Sequence, residues 1–178
     1  MLTFGAQSLT YDANGNLTGD GSSTFTWNAR DQLASVTGAS FVYDGLGRRM
    51  TKTIGTASTS YLYDGVDPVQ ERVGGSPSAN LITGLGIDEG LARADSAGMR
   101  VFLTDALGSA VALADSAKVI QTQYTYEPYG KATVTGQSST NPFQFTRREN
   151  DSTGLFYYRA RYTSPNLERF ISEDAAGM

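Results

Sequence analysis

The chain has 178 residues and a formal net charge of −4, with neither cysteine nor histidine but 20 glycines and 10 tyrosines. Those counts exclude disulfide frameworks, thiolate nucleophiles and any mechanism that uses imidazole as base or metal ligand, and the acidic balance offers no broad positive field to a nucleic acid. No apolar stretch approaches the twenty or so residues of a membrane span, and no basic, apolar, small-residue leader opens the chain.

Glycine, tyrosine, threonine, serine and aspartate together favour strands and tight turns over a helical bundle. A chain of this length, folded as one ordinary domain, buries roughly 70% of its unfolded surface. Nothing in the composition calls for a metal or any other cofactor.

From the N-terminus the first elements repeat. "YDANGNLT" begins at Tyr11, "WNARDQLASVT" at Trp27, "YDGLGRRMTKT" at Tyr43 and "YDGVDPVQE" at Tyr63. The first two steps are 16 residues each and the third is 20. Self-similarity at a fixed period marks units that bury an apolar face only by stacking on their neighbours. Within a unit the aromatic ends one strand and the aspartate, Asp12, Asp44 or Asp64, accepts hydrogen bonds from backbone N–H groups two residues on. Gly15, Gly45 and Gly47 supply positive φ, and alternating residues such as "RRMTKT" form the next strand. Asn14-Gly15 and Asp64-Gly65 are hairpin dipeptides in their own right. Trp27, Tyr43 and Tyr63 are expected to stack as an aromatic ladder. The recurring Tyr-Asp pairs are explained by the turns, with rows of tyrosine and aspartate as a glycan surface the sharper alternative.

A turn-rich connection is expected at residues 74–80, "GGSPSAN", separating hairpins 1–73 from a β-rich extension at 81–140. In that extension Leu91-Ala92-Arg93 reads as strand, because "IDEGLARADSAG" lacks an apolar stripe and carries Gly90. "TDALGSAVALAD" at Thr104 and "YEPYGKATVT" at Tyr126 echo the repeat.

The last segment, 141–178, runs "NPFQFTRRENDSTGLFYYRARYTSPNLERFISEDAAGM". Alternation places Phe156, Tyr158, Ala160 and Tyr162 on one face of a strand and Tyr157, Arg159 and Arg161 on the other, so that the arginines could stack on tyrosines. The sequons at Asn16 and Asn150 read as chance matches.

"FTRRENDSTGLFYYRARY" followed by "SPNLERFISED" closely resembles the core segment associated with RHS repeats, and the upstream units resemble the tyrosine-aspartate (YD) repeats of the same RHS family. Arg148, Glu149, Tyr158, Arg159, Arg161, Tyr162, Pro165, Arg169 and Phe170 fall on that core pattern. The resemblance implies an all-β fold in which antiparallel hairpin repeats form a curved or spiralling sheet, part of a hollow shell plugged at one end by the core segment. In the family the shell encloses a toxic C-terminal domain that an aspartate-dependent self-cleavage releases. "DAAGM" matches the first of the two motifs for that reaction at Asp174 and Gly177. Ala175 replaces the usual proline, and the given stretch holds no second motif, so this chain as it stands is expected not to cut itself. Arg147 and Glu168 stand where the family has glycine, and Thr163 where a third tyrosine is common. For Asp174 to act it would need a second carboxylate beside it, Asp151 being one candidate.

The leading expectation is a structural YD-repeat module, with no catalysis as given. Its partners would be the rest of an RHS polypeptide or other copies of itself joined through edge strands into a fibre or tube. A glycan is a weaker candidate partner, and neither nucleic acid nor membrane is expected. The resemblance places such a protein outside or on a bacterial cell. The remaining alternative is the N-terminal part of an autoprotease that lacks its cleaved segment.

Overall fold

The computed structural model describes residues 2–174. In chain order the strands are β1 (Leu2–Phe4), β2 (Gln7–Tyr11), β3 (Leu17–Gly19), β4 (Phe25–Trp27), β5 (Leu33–Val36), β6 (Ala39–Tyr43) and β7 (Arg49–Ile54). There follow β8 (Ala57–Asp64), β9 (Asp67–Val73), β10 (Ser76–Thr83), β11 (Gly90–Asp95), β12 (Gly98–Thr104), β13 (Ala110–Ala114), β14 (Ile120–Tyr126) and β15 (Ala132–Gly136). After a 3-10 turn at Phe145–Arg147 the last are β16 (Glu149–Asn150), β17 (Phe156–Tyr157), β18 (Tyr162–Ser164) and β19 (Arg169–Phe170). The chain falls into two compact units, Met1–Ala57 with Asp151–Met178, and Ser58–Asn150. These divisions differ from boundaries at residues 73 and 140.

In the first unit β1, β2 and β3 form an antiparallel meander, and β4 to β7 form another. Alternation buries one residue in two: Phe41 is buried between exposed Ser40 and exposed Val42 in β6, as a sheet with one covered face requires. Leu9, Leu17, Phe25, Leu33 and Phe41 from these strands meet Leu155, Tyr157, Tyr162, Leu167 and Ile171 from the C-terminal segment in one hydrophobic core. The core segment therefore supplies the apolar cover that three- to six-residue strands cannot provide for themselves.

In the second unit β8 to β15 pair in sequential order, all antiparallel. Leu81, Phe102, Ala110, Leu113, Tyr124 and Phe143 form its core. Residues 74–80 do not connect domains. Gly74 and Gly75, at φ 58° and 81°, make a two-residue hairpin turn and Ser76 already begins β10; paired glycines at positive φ are the tightest reversal available to two long strands. Leu91-Ala92-Arg93 lies in β11.

"FYYRARY" is not one strand. β17 and β18 pair Tyr157 with Tyr162, and the residues between them turn: Arg159 sits at φ 64° and the Tyr158 N–H bonds to the Arg161 carbonyl at 2.8 Å. The left-handed Arg159 breaks the strict alternation, so Tyr157 and Tyr162 share a buried face instead of opposing ones.

Candidate functional site

The aspartate of each repeat organises a five-residue turn. Asp12 Oδ1 accepts the N–H groups of Asn14 and Asn16, both at 2.9 Å. Asn28 does the same for Arg30 and Gln32, Asp44 for Leu46 and Arg48, Asp105 for Leu107 and Ser109, and Asp115 for Ala117 and Val119. The fourth residue of each turn takes positive φ: Gly15 at 77°, Asp31 at 55°, Gly47 at 83°, Gly108 at 79° and Lys118 at 66°. This is a type I turn closed by a left-handed residue, which forces a bulge in the ladder; register shifts occur beside Tyr11, Trp27 and Tyr43. Gly45 lies at an ordinary φ, unlike Gly47. Asp64 follows another plan, because Gly65, at φ 58°, turns β8 into β9 two residues later.

The aromatic of a repeat bonds backwards. Trp27 Nε1 donates to the Leu17 carbonyl at 2.8 Å, Tyr43 Oη to the Leu33 carbonyl at 2.9 Å, and Tyr126 Oη to the Ala110 carbonyl at 2.6 Å. Each acceptor is the residue just after the preceding aspartate turn, where the bulge leaves a carbonyl to be satisfied. The expected ladder of Trp27, Tyr43 and Tyr63 is replaced by other neighbours: Tyr43 packs on Tyr157 at 6.4 Å and Tyr63 on Tyr61 at 6.3 Å, while Tyr11 lies against the first unit's core. Burial pushes the phenol of Tyr43 well above its ordinary range, although the bond to Tyr162 opposes the shift.

A charged cluster that sequence reasoning missed sits at the centre of the first unit. The side chains of Arg49 and Asp151 are both fully buried, and Arg49 Nη1 donates to Asp151 Oδ2 at 2.5 Å. Lys52 Nζ reaches Asp151 Oδ1 at 3.0 Å, and Arg49 Nη1 also donates to Tyr162 Oη at 3.2 Å. Tyr162 Oη lies 2.9 Å from Tyr43 Oη. The guanidinium lies over Tyr157, its Cζ 4.1 Å from the centroid. Burial, first, holds the Tyr162 phenol in its neutral form, against the pull of Arg49. The network ties β7 to the core segment across 102 residues of sequence. Its signal was a pair of basic residues, Arg49 and Lys52, in a strand otherwise read as half-buried, and an aspartate in "REND".

The second unit has a counterpart. Arg93 Nη2 donates to Glu71 Oε2 at 2.7 Å, and Nη1 to Asp95 and to Thr140 Oγ1. Arg148 grips Asp88 through both terminal nitrogens at 2.6 and 3.1 Å, and Tyr61 Oη donates to the buried Glu149 at 2.9 Å.

At the C-terminal end Arg161 pairs with Asp174 at 3.0 Å, the carboxylate side chain being 60% exposed. Arg161 also lies over Phe170, 3.8 Å from its centroid, and Tyr158 meets the same ring edge-on at 5.6 Å. Arg161 thus stacks on a phenylalanine of β19, not on a tyrosine. Arg169 lies over Phe4 and bonds to the Leu167 carbonyl; Pro165 is half-buried in the turn between β18 and β19. Asp151 is committed to Arg49 and Lys52, while Asp174 faces Arg161. Gly177 and the rest of "DAAGM" after Asp174 lie outside the described residues. Arg147 and Glu168, which replace family glycines, stand at φ 61° and 55°; the left-handed corners survive without glycine. Asn16, 1% exposed, has its amide bonded to Asp12 and Asp31 and offers no acceptor site for a glycan.

Bulged hairpins stitched aromatic to carbonyl, and sealed by a segment from the far end of the chain, define an all-β YD-repeat protein. The family model of the Teneurin YD-shell matches residues 1–177, and the chain belongs to that family. A tRNA3(Ser)-specific nuclease WapA of Bacillus spizizenii is 31% identical over 94% of this chain, a stretch that makes up 8% of the relative. A double-stranded DNA deaminase toxin A of Burkholderia cenocepacia is 28% identical over 94% of this chain and 15% of its own length. The chain thus spans only a small part of these relatives. Among solved structures, a TcdB2-TccC3-Cdc42 complex gives a TM-score of 0.75 at 23% identity, over 93% of this chain and 10% of that one. A Tc holotoxin pore of Photorhabdus luminescens gives 0.74 at 22%, over 94% and 9%. The hairpin-repeat fold expected from the sequence is the fold these structures share with this chain.

Proposed function

We propose that this chain is a structural module, a stretch of shell wall together with its sealing core segment, within a toxin-encapsulating RHS-type polypeptide exported from a bacterium. The observation that carries this reading is the Arg49–Asp151–Tyr162 cluster. A buried ion pair contributes little net stability but fixes one arrangement of the groups around it, and here it fixes the core segment on the repeat wall. Limited proteolysis with mass spectrometry tests the reading: the purified chain should resist cleavage through β4–β7 and 151–174 together, and lose both protections together in Asp151→Ala. Early, independent release of the C-terminal segment from the intact protein would overturn it.

Head-to-tail assembly is a second reading, favoured by β15. That strand ends the order of its sheet, and Thr133, Val134 and Thr135 are exposed and uncharged, the form of edge that accepts another strand. Light scattering at several concentrations with negative-stain microscopy decides: regular filaments support it, and a monomer at all concentrations removes it.

A further inference from the structure

In the second unit each strand from β9 to β15 runs antiparallel to the one before it, so alternate turns fall at the same end of the sheet. One end carries the turns at 65–66, 84–89, 105–109 and 127–131, and each presents a large apolar side chain to solvent: Val66, then Leu85 with Ile87, then Leu107, then Tyr129. Ile87 and Leu107 are 72% and 69% exposed. The other end turns on Gly74-Gly75, Ser96-Ala97 and Ser116-Ala117-Lys118; its exposed Val73, Val119 and Ile120 stand at the strand ends and not at the tips. The turn plan does not ask for the difference, because Asp105 accepts the N–H of Leu107 just as Asp115 accepts that of Ala117. Apolar residues exposed singly are ordinary, whereas a contiguous row of them rimmed by polar groups marks a docking surface.

Beside these tips stand the exposed acids Asp64, Glu89, Asp105 and Glu127. Among the described residues of the four turns the one basic side chain, Lys131, pairs with Glu127, and Arg148, which reaches one of the turns, grips Asp88 there. Spacing narrows the partner further. Tips two strands apart recur at about 9.6 Å along the hydrogen-bonding direction, and an α-helix rises about 10.5 Å in seven residues, so a single helical face meets successive tips at heptad spacing. An extended strand returns to the same face only every 6.7 Å or so and falls out of step. We propose that this rim docks a cationic amphipathic α-helix of a partner protein, with apolar residues at heptad spacing seated on Val66, Ile87, Leu107 and Tyr129 and with lysine or arginine facing Asp64, Glu89, Asp105 and Glu127. The described residues contain no α-helix of their own, and the four tips match a helix of about 20 residues.

Fluorescence anisotropy of the purified chain with a labelled helical peptide of about 21 residues tests the surface. The peptide has leucine at the first and fourth positions of each heptad and lysine or alanine elsewhere; its counterpart carries glutamate for lysine. The cationic peptide should bind and the acidic one should not. Ile87→Ser/Leu107→Ser should weaken binding by about tenfold or more, the loss expected when two apolar anchors leave the middle of an interface, while Val73→Ser/Val119→Ser at the opposite end should bind as the parent does. In the complex of the unaltered chain, hydrogen exchange should slow in the four turns and stay unchanged at 74–75, 96–97 and 116–118, a readout that holds even where a variant does not fold. No binding of the cationic peptide, binding that ignores Ile87→Ser/Leu107→Ser, or protection away from the four turns overturns the proposal. So does self-association of the chain that the same substitutions abolish, which would make the rim a contact between copies.

Discussion

Asp151→Ala is the sharpest test of how the first unit is held together. The substitution removes the anion from a fully buried Arg49 and a nearly buried Lys52 while leaving both cations in place. Breaking a buried pair from one side costs about 3–5 kcal/mol, since the surviving charge stays desolvated. At about 2.1 cal/mol/K per residue, 178 residues give an unfolding entropy near 0.37 kcal/mol/K, so the midpoint should fall by about 8–13 °C. Differential scanning calorimetry or circular dichroism measures it. The double variant Arg49→Met/Asp151→Leu should recover part of the loss, because an apolar replacement removes the uncompensated charge of the fully buried Arg49, while Lys52, at the margin of the cluster, keeps its charge. As a control, Glu127→Gln breaks the Lys131–Glu127 pair, whose side chains are 60% and 65% exposed, and should change little. A shift below about 2 °C for Asp151→Ala, or a double variant no better than the single one, refutes the reasoning.

Gly47→Ala places a side chain at φ 83° and should cost about 1–2 kcal/mol, whereas Gly45→Ala, with an ordinary φ and open space around it, should stay within about 0.5 kcal/mol of the parent; denaturant titration separates the two, and equal effects would mean the turn geometry is misassigned. Stability should fall in alkali: burial raises the phenols of Tyr43 and Tyr162, so their contribution is complete below pH of about 10 and is lost as pH rises through the folded-state values. Each contributes a slope of up to about 1.4 kcal/mol per pH unit, and Tyr43→Phe should flatten the profile by one proton. On the acid side the N–H of Val119, ahead of opposing burial, with Gln121 and Ala117 holds the Asp115 carboxyl below the usual range; stability from this group should be present above the ordinary carboxylate pKa and decline as pH falls through the lowered one, a decline that Asp115→Asn removes. Extending the chain beyond Met178 with a family-type cleavage motif should yield self-processing that Asp174→Asn abolishes; cleavage that persists in the variant excludes a role for Asp174.

The repeats were legible because their signals are local. A tyrosine, an aspartate and a glycine within five residues specify strand end, turn acceptor and left-handed closure, and these need no knowledge of the rest of the chain. Arg147 and Glu168 stand where the family pattern has glycine, and their positive φ values explain why glycine is usual at those positions. What local pattern could not reveal was partnership at long range. Nothing adjacent to Arg49 names Asp151, and alternation misread "FYYRARY" because one left-handed residue, Arg159, reverses the chain. Trp27, Tyr43 and Tyr63 looked like a ladder because their spacing is regular, but the polar tip of an aromatic seeks an acceptor before a ring seeks a neighbour, and the bulged turns leave carbonyls waiting.

Those backward bonds make length a free variable. Trp27 and Tyr43 each reach a carbonyl ten positions earlier, and the units themselves advance by 16 residues. A whole unit can therefore be inserted or deleted with every donor still meeting an acceptor of the same kind. A gene could lengthen or shorten such a wall by unequal crossing-over in frame and keep this aromatic-to-carbonyl stitching intact from unit to unit.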